Sequence, residues 1–217
     1  MTVHHLCTQN SILNRFVSEL RDKFIQTDSM RFRKNLERVA EIMAYEISKT
    51  LPYAASEVHT PLGSADMMLP TRQPVIASIL RAGLPMHNGL LNFFDAAPNA
   101  FISAYRKHHK DNTFEIALEY VSAPQIENEI VILCDPMIAT GSSVQLAFKA
   151  LLAKGRPAHT HIVCAIASSE GIAYLKSQLL GHSITFWCGA IDEELTAQAY
   201  IVPGLGDAGD LAFGEKH

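Results

Sequence analysis

The sequence has no surplus of positive charge. Its 217 residues carry 18 Lys and Arg against 22 Asp and Glu, a formal net charge of −4. No basic face is announced for nucleic acid, so RNA or DNA is not expected as a partner. The opening residues MTVHHLCTQN contain no apolar core segment, and no secretory signal is expected. No apolar run approaches the roughly 20 residues that a membrane-spanning helix needs, so no membrane partner is expected. The cysteines Cys7, Cys134, Cys164 and Cys188 are widely spaced and form no CxxC pair. They read as reduced thiols of a cytoplasmic protein. His4-His5 and His108-His109 are adjacent pairs, and neither places two ligands on one helix face. There is no internal repeat, low-complexity tract or domain linker. With 48% apolar residues, the chain reads as a single domain over 1–217 with a substantial core.

What is present centres on Glu129 to Ser143, EIVILCDPMIATGSS. Ile130 to Cys134 is an unbroken apolar run, the pattern of a strand buried on both faces of a parallel sheet. Asp135 follows at the expected carboxyl end of that strand. Ala139-Thr140-Gly141-Ser142-Ser143 is a turn of small residues, and Val144 to Ala153 has helical spacing. Small residues let backbone N–H groups close on an anion, and a helix N-terminus adds partial positive charge. The loop lacks both the Gly-Lys-Ser/Thr ending of nucleotide triphosphatases and the GxGxxG of dinucleotide folds. An acid in front of a phosphate loop suits a sugar phosphate, whose hydroxyls Asp135 would bind. Taken alone, the turn is also compatible with an ordinary strand-to-helix connection capped by Thr140 or a serine.

Around this unit, strands predicted near residues 75–80, 100–105, 161–167 and 183–188 alternate with helices near 86–94 and 169–179. That order predicts an α/β fold: a parallel twisted sheet with flanking helices over a core of about 74–190. Two N-terminal helices over about 10–49 are expected to cover it. Asn10 or Ser11 would cap the first and Asp28 or Ser29 the second. Residues 51–74 carry Pro52, Pro61, Gly63, Pro70 and Pro74, and are expected to be irregular, with a short extended piece near Val58. Thr113 to Ser122 alternates as an exposed hairpin arm. The tail over 191–217, with Gly204, Gly206 and Gly209, should fray or fold back. Ligands of parallel α/β sheets bind at the carboxyl ends of strands, where Arg81, Arg106 and Asp135 all fall. Each arginine could also simply pair with a surface carboxylate.

Several stretches carry a resemblance. DPMIATGSS resembles the phosphoribosyl diphosphate (PRPP) loop of uracil phosphoribosyltransferases. Tyr200 to Gly214, YIVPGLGDAGDLAFG, resembles that family's uracil-binding hood. Ile79 to Gly83, ILRAG, resembles its diphosphate loop, and Tyr105-Arg106 its second phosphate-binding arginine. Thr27 to Glu46 is also similar, so the resemblance covers nearly the whole chain.

The resemblance implies a type I phosphoribosyltransferase fold with a hairpin arm and a C-terminal hood. It also implies transfer of ribose 5-phosphate from PRPP to N1 of uracil, giving UMP and diphosphate. On that reading Arg81 and Arg106 hold the diphosphate side and Asp135 the ribose hydroxyls. Pro136, Met137, Ile138, Ala139, Thr140, Gly141, Ser142 and Ser143 complete the PRPP loop. Ile201, Gly206 and Ala208 read the uracil edge, largely through the backbone. Asp207 also lines the uracil site and reaches PRPP through metal or water. Asp135, Arg106 and Asp207 are the residues expected to carry catalysis. Mg²⁺ is the implied cofactor, carried by PRPP and water with no direct protein ligand. GTP is a candidate effector, and a homodimer or larger homo-oligomer is expected. Two other classes stay open: an RNA-binding regulator on the same fold, and a phosphoribosyltransferase for another base. The latter families usually carry two adjacent acids, whereas Pro136 follows Asp135 here. The chain departs from the family pattern at Ser142, a usual glycine, and at Tyr120 and Leu211, usual basic positions. Thr196 stands at a frequent asparagine.

Overall fold

Residues 1–108 and 114–215 are described by a computed structural model, in which the side chains of residues 104–118 lie outside the description. A short strand β1 (Thr2–His5) opens the chain, followed by α1 (Ile12–Arg21) and α2 (Ser29–Ser48). The caps are those expected from sequence. Ser11 Oγ accepts from Leu13 N at 3.3 Å, and Asp28 Oδ1 accepts from Met30 N and Arg31 N at 3.0 and 3.1 Å. Next come β2 (Tyr53–Thr60), β3 (Gly63–Pro70), β4 (Val75–Leu80), α3 (Leu84–Leu91), β5 (Asn99–His108) and β6 (Phe114–Ser122). The second half contains β7 (Ile130–Cys134), β8 (Met137–Ile138), α4 (Ser142–Leu152), β9 (His159–Ser168), α5 (Ser169–Gln178) and β10 (Ile184–Asp192). The tail adds β11 (Glu194–Leu195), β12 (Ile201–Val202) and α6 (Ala208–Phe213).

The main sheet has the order β1-β10-β9-β7-β4-β5-β6, with β8 continuing onto β9. Its neighbours are parallel except β5 and β6, which form the antiparallel arm expected from the alternation after Thr113. Direction along the sheet reverses between β4 and β7: β4 leads through α3 to β5 on one side, and β7 leads through α4 and α5 toward β9 and β10 on the other. A crevice opens at such a reversal, at the carboxyl ends of the two strands. The register pairs Ser78 with Cys134, so Arg81 and Asp135 leave the sheet at the same end.

One face of the sheet is covered by α1, α2, α3 and the tail, with Leu13, Leu36, Met43, Met86, Trp187, Leu205 and Ala212 buried together. On the opposite face, Phe148 and Leu151 of α4 and Leu175 of α5 pack on Ile162 and Phe186. Truncating a fully buried side chain such as Met43 or Leu36 would cost about 2–5 kcal/mol.

Two elements depart from expectation. β1 is a four-residue edge strand, TVHH, too short and too polar to show a period. Residues 53–70 are a regular hairpin rather than an irregular segment. Its prolines punctuate it instead of breaking it: Pro52 precedes β2, Pro61 lies in the turn, and Pro70 ends β3. Thr60 Oγ1 closes the turn by donating to Gly63 O at 3.0 Å. Every residue of both strands is exposed. One face of the hairpin carries Ala54, Ser56, Val58, Ala65, Met67 and Leu69 and no charge; the other carries the Glu57–Asp66 pair. Among the described residues, no helix is long and apolar enough to cross a membrane.

Candidate active site

The crevice is built from three loops. The first follows β4. Gly83 sits where a Cβ would lie 2.6 Å from Ile79 O and 2.7 Å from Ser78 Oγ, so only glycine lets the chain turn this tightly beneath Arg81. Arg81 Nη2 donates to Gly214 O at 3.2 Å and lies 3.5 Å from Asp210 Oδ1.

The second loop follows β7. Asp135 N donates to Val163 O at 3.1 Å, and Pro136 O accepts from Ala165 N and Ile166 N at 3.0 and 3.1 Å, which stitches the segment to β9. The Asp135 carboxyl is half-buried at the floor of the crevice. Burial pushes it up to about 7, opposed by the bond from Met137 N at 3.5 Å and assisted to a smaller extent by the charge of Asp207.

The small-residue turn then delivers the chain into α4. Gly141 has φ of 82°, and a Cβ there would sit 2.9 Å from Leu175 Cγ. Thr140 Oγ1 lies 3.0 Å from Ser142 Oγ and accepts from Ser142 N at 3.4 Å. Ser142 is the first residue of α4 and does not adopt positive φ. The serine at this usual glycine position is therefore unstrained: Gly141 carries the left-handed turn. The first-turn N–H groups of α4 have no acceptor within the helix.

The third loop is the tail, which folds back as a hood. Arg21 of α1 forms a two-pronged ion pair with Asp192 at 2.7 and 2.8 Å, and also donates to Gly204 O at 3.0 Å. Asp192 Oδ2 accepts from Gly204 N at 3.0 Å. Burial alone would raise the Asp192 carboxyl, but Arg21 and the Gly204 N–H outweigh it and hold it below the usual range. Arg33 Nη1 donates to Ala212 O at 2.6 Å. Ile201 is buried in a two-residue pairing with Leu195, and Ala208 is buried at the start of α6. Gly206 has φ of 88° and faces Gln26. Asp207 caps α6, its Oδ1 accepting from Gly209 N and Asp210 N at 2.8 and 3.0 Å.

The fold thus brings Arg81, Asp135, the PRPP-like loop and Asp207 to one end of the sheet, with Ile201, Gly206 and Ala208 on the hood. Arg106 lies on β5 opposite Ile116, but its side chain falls outside the described residues, as do His109 and Lys110. Tyr120 is exposed on β6 opposite Ser103. Leu211 packs against the apolar core, and Thr196 closes the turn before Tyr200 by accepting from its N–H at 3.1 Å.

Sequence reasoning passed over Ser168, Gly171, Arg21, Asp192 and Asp210. Ser168 Oγ accepts from Gly171 N at 2.8 Å, a helix cap, and donates to Ala139 O at 2.5 Å. A Cβ on Gly171 would collide with that same carbonyl. The capping serine was visible as a helix start, but its second bond joins segments far apart in sequence.

The family described as "Uracil phosphoribosyltransferase" matches residues 7–215. The chain is 52% identical over 216 residues to the uracil phosphoribosyltransferase of Porphyromonas gingivalis, covering 100% of both chains. It is 41% identical over 202 residues to that of Pyrococcus furiosus, covering 92% of this chain and 84% of the other. Among solved structures, the AQ2163 protein from Aquifex aeolicus superimposes with a TM-score of 0.86 at 27% identity, covering 98% of each chain. Matched from end to end and carrying the loop, the strand-end acid and the hood in one crevice, this chain belongs to the uracil phosphoribosyltransferase family.

Proposed function

We propose that this chain transfers ribose 5-phosphate from PRPP to N1 of uracil, releasing diphosphate and forming UMP. The observation that carries the reading is the docking of the hood on the strand-end loops: Arg81 Nη2, just past β4, donates to Gly214 O at 3.2 Å, and Asp135 leaves the parallel neighbour β7 at the same end of the sheet. A loop for a sugar phosphate and a segment for a flat base meet over one carboxylate.

In such a transfer the glycosidic carbon develops positive charge, and the protein needs mainly to align two substrates and exclude water. Asp135 as carboxylate accepts from the ribose hydroxyls. Ala139 to Ser143 wrap the 5-phosphate with backbone N–H groups, aided by the α4 N-terminus. Arg81, with Arg106 by family correspondence, takes the diphosphate, since a guanidinium stays charged and binds oxyanions in pairs. Ile201, Gly206 and Ala208 present backbone donors and acceptors to the uracil edge. An amino group in place of a uracil carbonyl would leave a buried group unpaired there.

Asp135 and Asp207 are oxygen donors suited to Mg²⁺ held through diphosphate and water. When bound, Mg²⁺ neutralises part of the diphosphate charge.

We read the chain as one domain of a cytoplasmic protein; all four cysteines are free. The exposed, uncharged face of the β2–β3 hairpin supports a homodimer or larger assembly, because an isolated two-stranded hairpin is marginal in water. Sedimentation would test this.

The deciding assay is UMP formation from uracil, PRPP and Mg²⁺, with cytosine, hypoxanthine and adenine as competitors, and with GTP added to test for an effector. Uracil-selective turnover is expected. Turnover with another base, or none with uracil, would overturn the assignment.

A further inference from the structure

The cation expected to receive diphosphate is already occupied by the hood. Arg81 leaves the end of β4, and its Nη2 bonds Gly214 O at 3.2 Å while lying 3.5 Å from Asp210 Oδ1. Both partners belong to α6 or its C-cap. A Cβ added at Gly209 of the hood would lie 3.9 Å from Arg81 Nη2. The engagement is incomplete: Arg81 Nε is buried and has no acceptor among the described residues. A guanidinium with one orphaned donor and one loose carboxylate partner is poised to exchange that carboxylate for a better oxyanion. Asp210 has no other cation within hydrogen-bonding distance among the described residues. The position beside it, Leu211, turns into the apolar core and offers no charge.

Resting on the transferase reading above, we propose that Asp210 is a positioning residue. It is an internal anion that holds Arg81 in the empty protein and yields it to the diphosphate of PRPP. The same helix carries Ala208 and is capped by Asp207. Diphosphate arrival at Arg81 therefore frees one tether of the segment that reads uracil, and diphosphate departure restores it. The two half-sites are coupled through a single guanidinium, and Asp210 competes with the substrate.

The test is Asp210→Asn, which keeps size and removes charge, with Glu215→Gln as a control for neutralising a nearby tail carboxylate. Circular dichroism and the fluorescence of Trp187 would establish that both variants are folded. Calorimetric titration with PRPP·Mg²⁺, with inorganic diphosphate·Mg²⁺ and with ribose 5-phosphate supplies the readout. Asp210→Asn should tighten PRPP and diphosphate by about threefold to fivefold, the scale of one half-exposed ion pair. It should leave ribose 5-phosphate, which does not reach Arg81, unchanged, and Glu215→Gln should move none of the three. A merely structural Asp210 would give equal or weaker binding in the variant, and that result overturns the inference. So does equal tightening of ribose 5-phosphate, which would mark a general charge effect. If the wild type binds no PRPP at all, it is the transferase reading that fails.

Discussion

Ser168 Oγ reaches from the end of β9 to the carbonyl of Ala139 at 2.5 Å, so one hydroxyl caps α5 and fixes the mouth of the PRPP-like loop. Ser168→Ala removes both bonds and leaves a carbonyl and a helix N–H unpaired. We expect a loss of about 1–2 kcal/mol in stability, measured by urea unfolding. We also expect a rise in KM for PRPP larger than any change in KM for uracil. Equal effects on the two KM values would show that the loop does not depend on this bond.

Gly141 supplies the left-handed turn that starts α4. Gly141→Ala meets a φ of 82° and Leu175 Cγ at 2.9 Å from the new Cβ. It should destabilise the protein by about 1–3 kcal/mol and weaken PRPP binding. Ser142→Gly, at a helical residue with ordinary φ, should not strengthen binding by relieving strain. A marked gain in PRPP affinity for Ser142→Gly would contradict the loop geometry.

Asp135 is held near pH 7 by burial and by Asp207. A carboxyl raised in the folded state binds more protons there than in the unfolded chain. Stability is therefore lost as pH rises from about 4 to about 7, and the full penalty is present above pH 7. Asp135→Asn should raise stability at pH 8 by about 1–2 kcal/mol, after discounting for its partial contact with solvent. It should gain little at pH 4 and should cut turnover severely at both. PRPP affinity of the wild type should climb as pH passes 7, and that rise should vanish in the variant. A variant less stable than wild type at pH 8 would sink the assignment of a functional strain to Asp135.

The single tryptophan offers an internal probe. Trp187 Nε1 donates to His161 Nδ1 at 3.1 Å, and His4 stacks on the indole with ring centroids 4.1 Å apart. Burial, aided by His159 and His4, pushes His161 down to about 3, and burial lowers His87 and His159 as well. Neutral in the folded state, these histidines take up protons only on unfolding. The stability they contribute is present above about pH 6.5 and is lost as pH falls toward the folded values. Asp135 works in the opposite direction over part of this range, so the Asp135→Asn background isolates the effect. There the urea midpoint, followed by Trp187 fluorescence, should fall between pH 7 and pH 5. Adding His161→Gln should flatten the slope by about one proton. An unchanged slope would mean that His161 is protonated in the folded protein.

The sequence by itself determined the strands and helices whose burial is uniform. Ile130 to Cys134 is apolar throughout, and Val75 to Leu80 is apolar save for Ser78, because both faces of a central parallel strand are covered. Ser11 and Asp28 announce their helices because a cap acts within a few residues. The motifs that mark the PRPP-like loop and the hood are likewise contiguous, and a contiguous pattern can be read directly. Only the tertiary structure decided what depends on contacts between distant segments. It placed β1 on the edge of β10, where a strand half open to solvent shows no clear period. It made residues 53–70 a hairpin in which prolines mark the ends. It showed that Gly141, not position 142, bears the left-handed turn, because backbone conformation depends on where the helix begins. It also joined Ser168 to Ala139, Arg21 to Asp192 and Arg81 to Asp210. Hydrogen bonds and ion pairs act over a few ångströms of space whatever the separation along the chain, so no local pattern records them.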